Sequence, residues 1–296
     1  MLWQACCGRK GAILSILSIQ SAVAYGHVGN SAAVFPLQRL GFEVWPVNTV
    51  MFSNHAGYET CRGPAMAAAD ISDVVTGLEE LGQLKNCRAV LSGYLGVEEN
   101  GAAIADAVER AKRANPSAVY CCDPVIGDTR EGVYVGQGIV DFIRDRLVPM
   151  ADILTPNRFE LEQLTGRKGE TDEELAESAR SLIDKGVELV AVTSLPVESD
   201  RPKIANLIVT REAAWRVTTP RVFLKAKGTG DLFAALLLGH ALGGLPAPQA
   251  LSRTCSVLFR IIEETSKADA NELLLIEAQE ALRDGSDPFP ALSIGR

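Results

Sequence analysis

The chain lacks any cysteine pattern that a disulfide framework or a zinc centre would need. Its seven cysteines are an odd number, they include the adjacent pairs Cys6-Cys7 and Cys121-Cys122, and none is spaced as a metal knuckle. Idle or buried thiols in a reducing cytoplasm are the reading. No basic stripe offsets the formal net charge of -8, which argues against nucleic acid as a main partner. An anionic substrate would therefore need local donors or a metal ion. Internal repeats, low-complexity tracts and long linkers are absent too. So are two phosphate-binding signatures: no glycine loop ends in the Lys-Ser/Thr of a Walker sequence, and no Gly-x-Gly-x-x-Gly follows the first apolar run.

What is present is an ordinary globular composition, 296 residues with 47% hydrophobic and 22% charged, enough to bury a large core. Arg9-Lys10 followed by an apolar run loosely imitates a signal peptide. The run is short and leads directly into a polar loop, so a buried first strand is the preferred reading. Residues 1–10 read as a tail and 11–296 as one domain.

Short β-branched or apolar runs alternate with helical patterns. Strands are expected at 12–19, 42–50, 88–92, 118–122, 152–154 and 189–193, with helices at 30–40, 71–81, 100–114 and 137–148. Thr171 and Glu174 form a capping box that should start a helix running to about 185, ended by Gly186. Residues 203–209 and 213–218 read as an antiparallel pair, and the chain from Ala247 onward as helical. Repeated βα units predict an α/β fold, a central mostly parallel sheet flanked by helices on both faces. Ligands on such sheets bind beyond the carboxyl ends of the strands.

The most informative string is Gly228-Thr229-Gly230-Asp231, followed by the apolar run from Leu232 to Leu238. Two glycines let the backbone approach a ligand closely, and a helix starting here would direct unpaired amides and its positive end at an anion. Asp231 places a carboxylate where negative charge should bind. That is costly for mere structure but useful for taking a proton from an attacking hydroxyl. A turn with an Asp cap is the bland alternative.

Polar residues after the other strands extend the site. They are Gln20-Ser21 with the segment Tyr25 to Asn30, Phe52-Ser53-Asn54-His55, Gly93-Tyr94, Asp123 to Asp128, and Thr155-Pro156-Asn157 with Glu160. Each also has a structural reading: turns for Asp123-Pro124 and Pro156-Asn157, a solvated loop residue for Asp128, first-turn charge for Glu160, satisfied histidines for His27 and His55, core aromatics for Tyr94 and Phe52. Together Asp123, Asn157 and Glu160 are hard oxygen ligands suited to magnesium held largely through water and phosphate. Thr193 and Ser194, at a strand end, are hydroxyl donors for phosphate oxygens.

These motifs resemble the ribokinase-like superfamily and, within it, the pyridoxal kinases. The matching strings run in order: Ser18 to Ser21, Tyr25 to Ala33, Asn48-Thr49-Val50 with Phe52 to His55, Ser92-Gly93-Tyr94, Cys122 to Val125, Thr155-Pro156-Asn157 with Glu160, and Gly228 to Asp231. The likeness spans about residues 15–285. It implies transfer of the ATP γ-phosphoryl group to the 5′-hydroxymethyl of pyridoxal, with pyridoxine and pyridoxamine as further acceptors. It also implies Asp231 as general base, with the Gly228, Thr229 and Gly230 backbone as anion hole. Ser21 resembles the residue that bonds the pyridine ring, Val28, Phe52 and Tyr94 the pocket walls, and His55 a further substrate contact. Asp123, Asp128, Tyr134, Thr155, Asn157, Glu160, Thr193 and Ser194 resemble the nucleotide region, with Asp123 and Glu160 nearest the magnesium ion. A monovalent cation (K+ or Na+) and a homodimer are further implications. Acceptors such as hydroxymethylpyrimidine, or a weakly active carrier of pyridoxal phosphate, are the competing readings. Two positions depart from the family: Ala56 stands where a substrate-contacting Thr is usual, and Lys227 precedes the glycine string where an apolar residue is common. The segment 128–138, polar and glycine-bearing, reads as a flap over ATP.

Overall fold

The computed structural model describes residues 15–197 and 202–294. The expected tail at 1–10, and residues 12–14 of the expected first strand, lie outside the described residues. The main sheet has nine strands: β1 (Ser15–Val23), β2 (Glu43–Phe52), β3 (Cys87–Ser92), β4 (Val119–Cys122), β7 (Ile153–Leu154), β8 (Leu189–Val197), β9 (Lys203–Thr210), β10 (Ala214–Pro220) and β11 (Leu292–Ile294). Between β4 and β7 the chain makes a small separate hairpin, β5 (Gly127–Asp128) and β6 (Gly132–Val133). The strand order is β11-β10-β9-β8-β7-β4-β3-β1-β2. From β2 to β8 every neighbour pair is parallel, and from β8 to β11 every pair is antiparallel.

Eight α-helices accompany the sheet among the described residues: α1 (Asn30–Arg39), α2 (Ala68–Glu80), α3 (Glu99–Ala114), α4 (Gln137–Phe142), α5 (Arg158–Thr165), α6 (Asp172–Ile183), α7 (Thr229–Leu242) and α8 (Ala247–Lys267). Strand alternation divides the core between two faces. Leu17, Ile19, Val90, Tyr120 and Val190 pack with residues of α2 to α6, while Ile16, Ala89, Leu91, Val119 and Ile153 pack with α1, α7 and α8. Every residue of β1 is buried, as expected for an interior strand covered on both faces. Helix α7 is buried all round from Leu232 to Leu242, being sealed by the sheet, α1 and α8. None of the described helices is long and apolar enough to cross a membrane.

Four expectations are corrected. The first strand does not stop at Ile19 but runs through Gln20 and Ser21 to Val23, because pairing with β2 resumes after a register shift between Gln20 and Ala22. Thr193 and Ser194 do not end a strand; they sit inside β8 at a break between Val192 and Leu195, where Ser194 takes a left-handed φ of 64°. The expected helix at 137–148 is α-helical only to Phe142, then winds as a π turn (Ile143–Leu147) and a 3-10 turn (Val148–Met150) around Pro149. The helix from Ala247 stops at Lys267; beyond it lie turns, a 3-10 turn (Gln279–Leu282) and the edge strand β11.

Candidate active site

The carboxyl ends of β1, β2, β3, β4 and β7 and the amino ends of α1, α5 and α7 meet on one side of the sheet. The ladder itself fixes the first residues after the strands: the Gly93 amide donates to Ile19 O, Asp123 to Ser92 O, and Thr155 to Cys122 O. Side chains projecting from them are thus held by sheet register.

Helix α7 begins at Gly228, whose φ of 90° falls in the left-handed region, and a Cβ there would lie 1.9 Å from His27 O. Conformation and space both require glycine. A Cβ at Gly230, by contrast, would meet nothing within 4 Å, so nothing in the fold demands glycine there. Gly29, the cap residue of α1, has a φ of 52° and presses on Ser21, with a Cβ only 2.2 Å from Ser21 O. Its amide is near enough to the Asp231 carboxylate to favour its charge. These contacts bring Ser21, Val28, Gly29 and the Gly228 to Asp231 turn together. Burial pushes the Asp231 carboxyl up to about 6, although the amides of Gly29 and Asp231 itself favour its charge.

Asp123 is 6% exposed and accepts the Thr155 hydroxyl on Oδ1 at 2.9 Å. Desolvation, then the charges of Glu160 and Asp231, hold its carboxyl well above the usual range. Glu160 is 4% exposed and closes a capping box with Asn157 at the start of α5. Its Oε1 accepts the Ile126 amide at 2.8 Å, and its Oε2 the Asn157 amide at 2.9 Å. Burial still pushes it up to about 7. Asn157 donates to Gly127 O at 2.8 Å, which ties α5 to the β5–β6 hairpin. Asp128 turns that hairpin by accepting the amides of Arg130 and Glu131, both at 2.7 Å. Tyr134, which follows the hairpin and is half-exposed, has its phenol raised by desolvation, with the charges of Glu160, Asp123, Asp231 and Asp128 adding to it. Thr193, within β8, forms an isolated parallel bridge with Asn157, and the exposed Ser194 gives its amide to Asn206 Oδ1 at 3.2 Å.

Phe52 ends β2 opposite Val23, and its carbonyl accepts the Ala24 amide. Beyond it, His55 Nδ1 accepts the Gly57 amide at 2.9 Å, and burial followed by the Lys227 charge lowers its pKa. Tyr94 is raised by burial and by Cys61. Lys227, half-exposed, pairs its Nζ with Glu131 Oε1 at 2.9 Å, linking the glycine turn to the hairpin tip.

Among the described residues no group of three or more His, Cys, Asp or Glu could hold a metal ion unaided. The donor set still fits magnesium. Two buried carboxylates repel one another at Asp123 and Glu160, and one Asp123 oxygen is left over from the Thr155 bond.

The sequence reasoning missed Glu272. It lies in the turn after α8 and accepts the His27 amide at 3.1 Å and the Tyr58 hydroxyl at 2.5 Å. No periodicity or motif marks it; only the glycine at 26, crowded by this carboxylate, hints at a neighbour.

The geometry can be set beside known proteins. Residues 62–273 match the model of a family described as phosphomethylpyrimidine kinase. A pyridoxal kinase of Rubrobacter xylanophilus is 51% identical over 283 residues, covering 95% of this chain and 98% of the relative. The chain belongs to the pyridoxal kinase family. A second curated pyridoxal kinase, from Leifsonia xyli, is 48% identical across 95% of this chain and 100% of its own. Among solved structures, pyridoxal kinase from Leishmania donovani in complex with ADP and pyridoxine superposes with a TM-score of 0.88 at 30% identity, covering 95% of this chain and 99% of that one.

Proposed function

We propose that this pyridoxal kinase moves the γ-phosphoryl group of ATP onto the 5′-hydroxymethyl of pyridoxal, pyridoxine and pyridoxamine, with Asp231 as the base. The observation that carries the reading is a pair of close approaches: Gly29 presses on Ser21, and Gly228 on His27 and Val28, joining an acceptor pocket to the helix start that carries Asp231. Asp231 receives the hydroxyl proton as the new O–P bond forms and ADP leaves. The backbone of Gly228, Thr229 and Gly230, at the positive end of α7, holds the charge that develops on the transferred group. Open space in front of Gly230 leaves room for it.

Ser21 orients the ring, with Val28, Phe52, His55 and Tyr94 around it. Asp128, Tyr134, Thr155, Asn157, Thr193 and Ser194 border the nucleotide. Bound magnesium would supply charge neutralisation on the phosphates; Asp123 would hold it directly and Glu160, already bonded by amides, through water. A monovalent cation and a homodimer rest on the family resemblance, and a cytoplasmic location on cysteines that form no disulfide framework.

The family description favours one second reading, in which hydroxymethylpyrimidine is the acceptor. Phosphate transfer to the three vitamers and to hydroxymethylpyrimidine, with and without magnesium, separates the two. Turnover is expected with pyridoxal and magnesium; faster turnover of the pyrimidine would displace the reading.

A further inference from the structure

Two loops border the acceptor pocket, one following β1 (residues 24–29) and one following β2 (residues 53–64). They are joined by backbone at their roots, where Tyr25 donates its amide to Ser53 O at 2.9 Å. At their outer ends the link is a side chain from a third part of the fold. Glu272 Oε2 accepts the His27 amide and Oε1 accepts the Tyr58 hydroxyl, bridging sequence separations of 245 and 214 residues. The Tyr58 ring also meets Tyr25 edge-on at 6.2 Å.

Glu272 does not wander. Its neighbours Leu273 and Leu275 are 0% exposed in a cluster with Leu232 and Leu236 of α7 and with Ile261 of α8. Leu274 gives its amide to Thr265 Oγ1 at 3.1 Å. The carboxylate is therefore anchored to the helix that carries Asp231. Space has been cleared for it: Gly26 has a φ of 97°, and a Cβ there would lie 2.3 Å from Glu272 Oε2. His27, bonded by Glu272 at its amide, presses its carbonyl on Gly228.

We infer that Glu272 is a positioning residue of the acceptor site, clasping the two loops across the vitamer pocket and holding the His27 to Gly29 segment in register with the Gly228 to Asp231 turn. The inference rests on the kinase reading above. Removing the clasp frees both loops, which adds an ordering cost to vitamer binding but none to the nucleotide side. Each arm is a charge-assisted hydrogen bond, so losing both should raise the pyridoxal KM roughly tenfold.

Steady-state kinetics on Glu272→Ala, Glu272→Gln, Tyr58→Phe and the Glu272→Ala/Tyr58→Phe double variant test this in the full chain. The expected result is a roughly tenfold rise in pyridoxal KM for Glu272→Ala, with ATP KM unchanged. Partial recovery in Glu272→Gln and no further loss from Tyr58→Phe in the Glu272→Ala background complete it. An unchanged pyridoxal KM, or equal rises in both KM values, would overturn it. If Glu272→Ala does not fold, Tyr58→Phe alone decides, because its exposed ring can lose the hydroxyl without disturbing the core; wild-type pyridoxal KM in that variant would overturn the clasp. Wild-type protein that fails to phosphorylate pyridoxal would instead sink the kinase reading, before any variant is compared.

Discussion

Replacing Asp231 by Asn tests the base and the cost of keeping it in place at once. The folded-state carboxyl is pushed up to about 6 against an ordinary value of 3.8, because it is desolvated at the half-buried head of α7. That gap of about two units corresponds to on the order of 2–3 kcal/mol. The sign follows from which state binds the proton more tightly. The folded protein does, so ionising Asp231 destabilises the fold: the cost is nil below about pH 4, grows as pH rises toward 6, and is complete above it. Asn keeps the shape and is never charged. Asp231→Asn should therefore be more stable than wild type at pH 8, by about 5 °C in Tm, and the gain should vanish at pH 4. Turnover should move the opposite way, falling roughly 10³-fold while ATP KM holds, since a positioned base contributes on the order of 10²–10⁴. Wild-type kcat/KM should show an acid limb with a midpoint near 6, where the base becomes protonated. Thermal melts across pH and initial rates suffice. Turnover within tenfold of wild type would refute the base, and a Tm difference independent of pH would refute the raised carboxyl.

Gly228→Ala should cost at least about 2 kcal/mol in denaturant unfolding and lose nearly all turnover, since the left-handed backbone and the His27 carbonyl both oppose a Cβ. Glu160→Ala should destabilise by about 2 kcal/mol or more by stranding the amides of Ile126 and Asn157, and should raise the magnesium requirement; Glu160→Gln should recover part of the stability in a urea titration. Lys227→Ala should leave Tm within about 1 °C, because its partner Glu131 is an exposed carboxylate and such pairs contribute little. A change in ATP KM in that variant, matched by Glu131→Ala, would mark the pair as a control on the hairpin over the nucleotide.

The βα alternation, the capping box at Thr171, and the Gly228 to Asp231 turn were legible because they are local: propensity, periodicity and glycine conformation act within a few residues. Membership of the family was legible for the same reason, in short strings kept in order. Strand ends and registers were not. Whether β1 stops at Ile19 or continues to Val23 depends on its partner β2, and the break at Ser194 depends on β9. The fate of Lys227 was decided by Glu131, 96 residues away. Glu272 joined the site only through the docking of Leu273 and Leu275 on α7 and α8. What the residues alone determined were the groups that do chemistry and the elements that carry them. Which carboxylates stand close enough to raise one another's pKa, and which loop is tied to which, follows from long-range packing, because burial and Coulomb interaction depend on distances that no run of sequence contains.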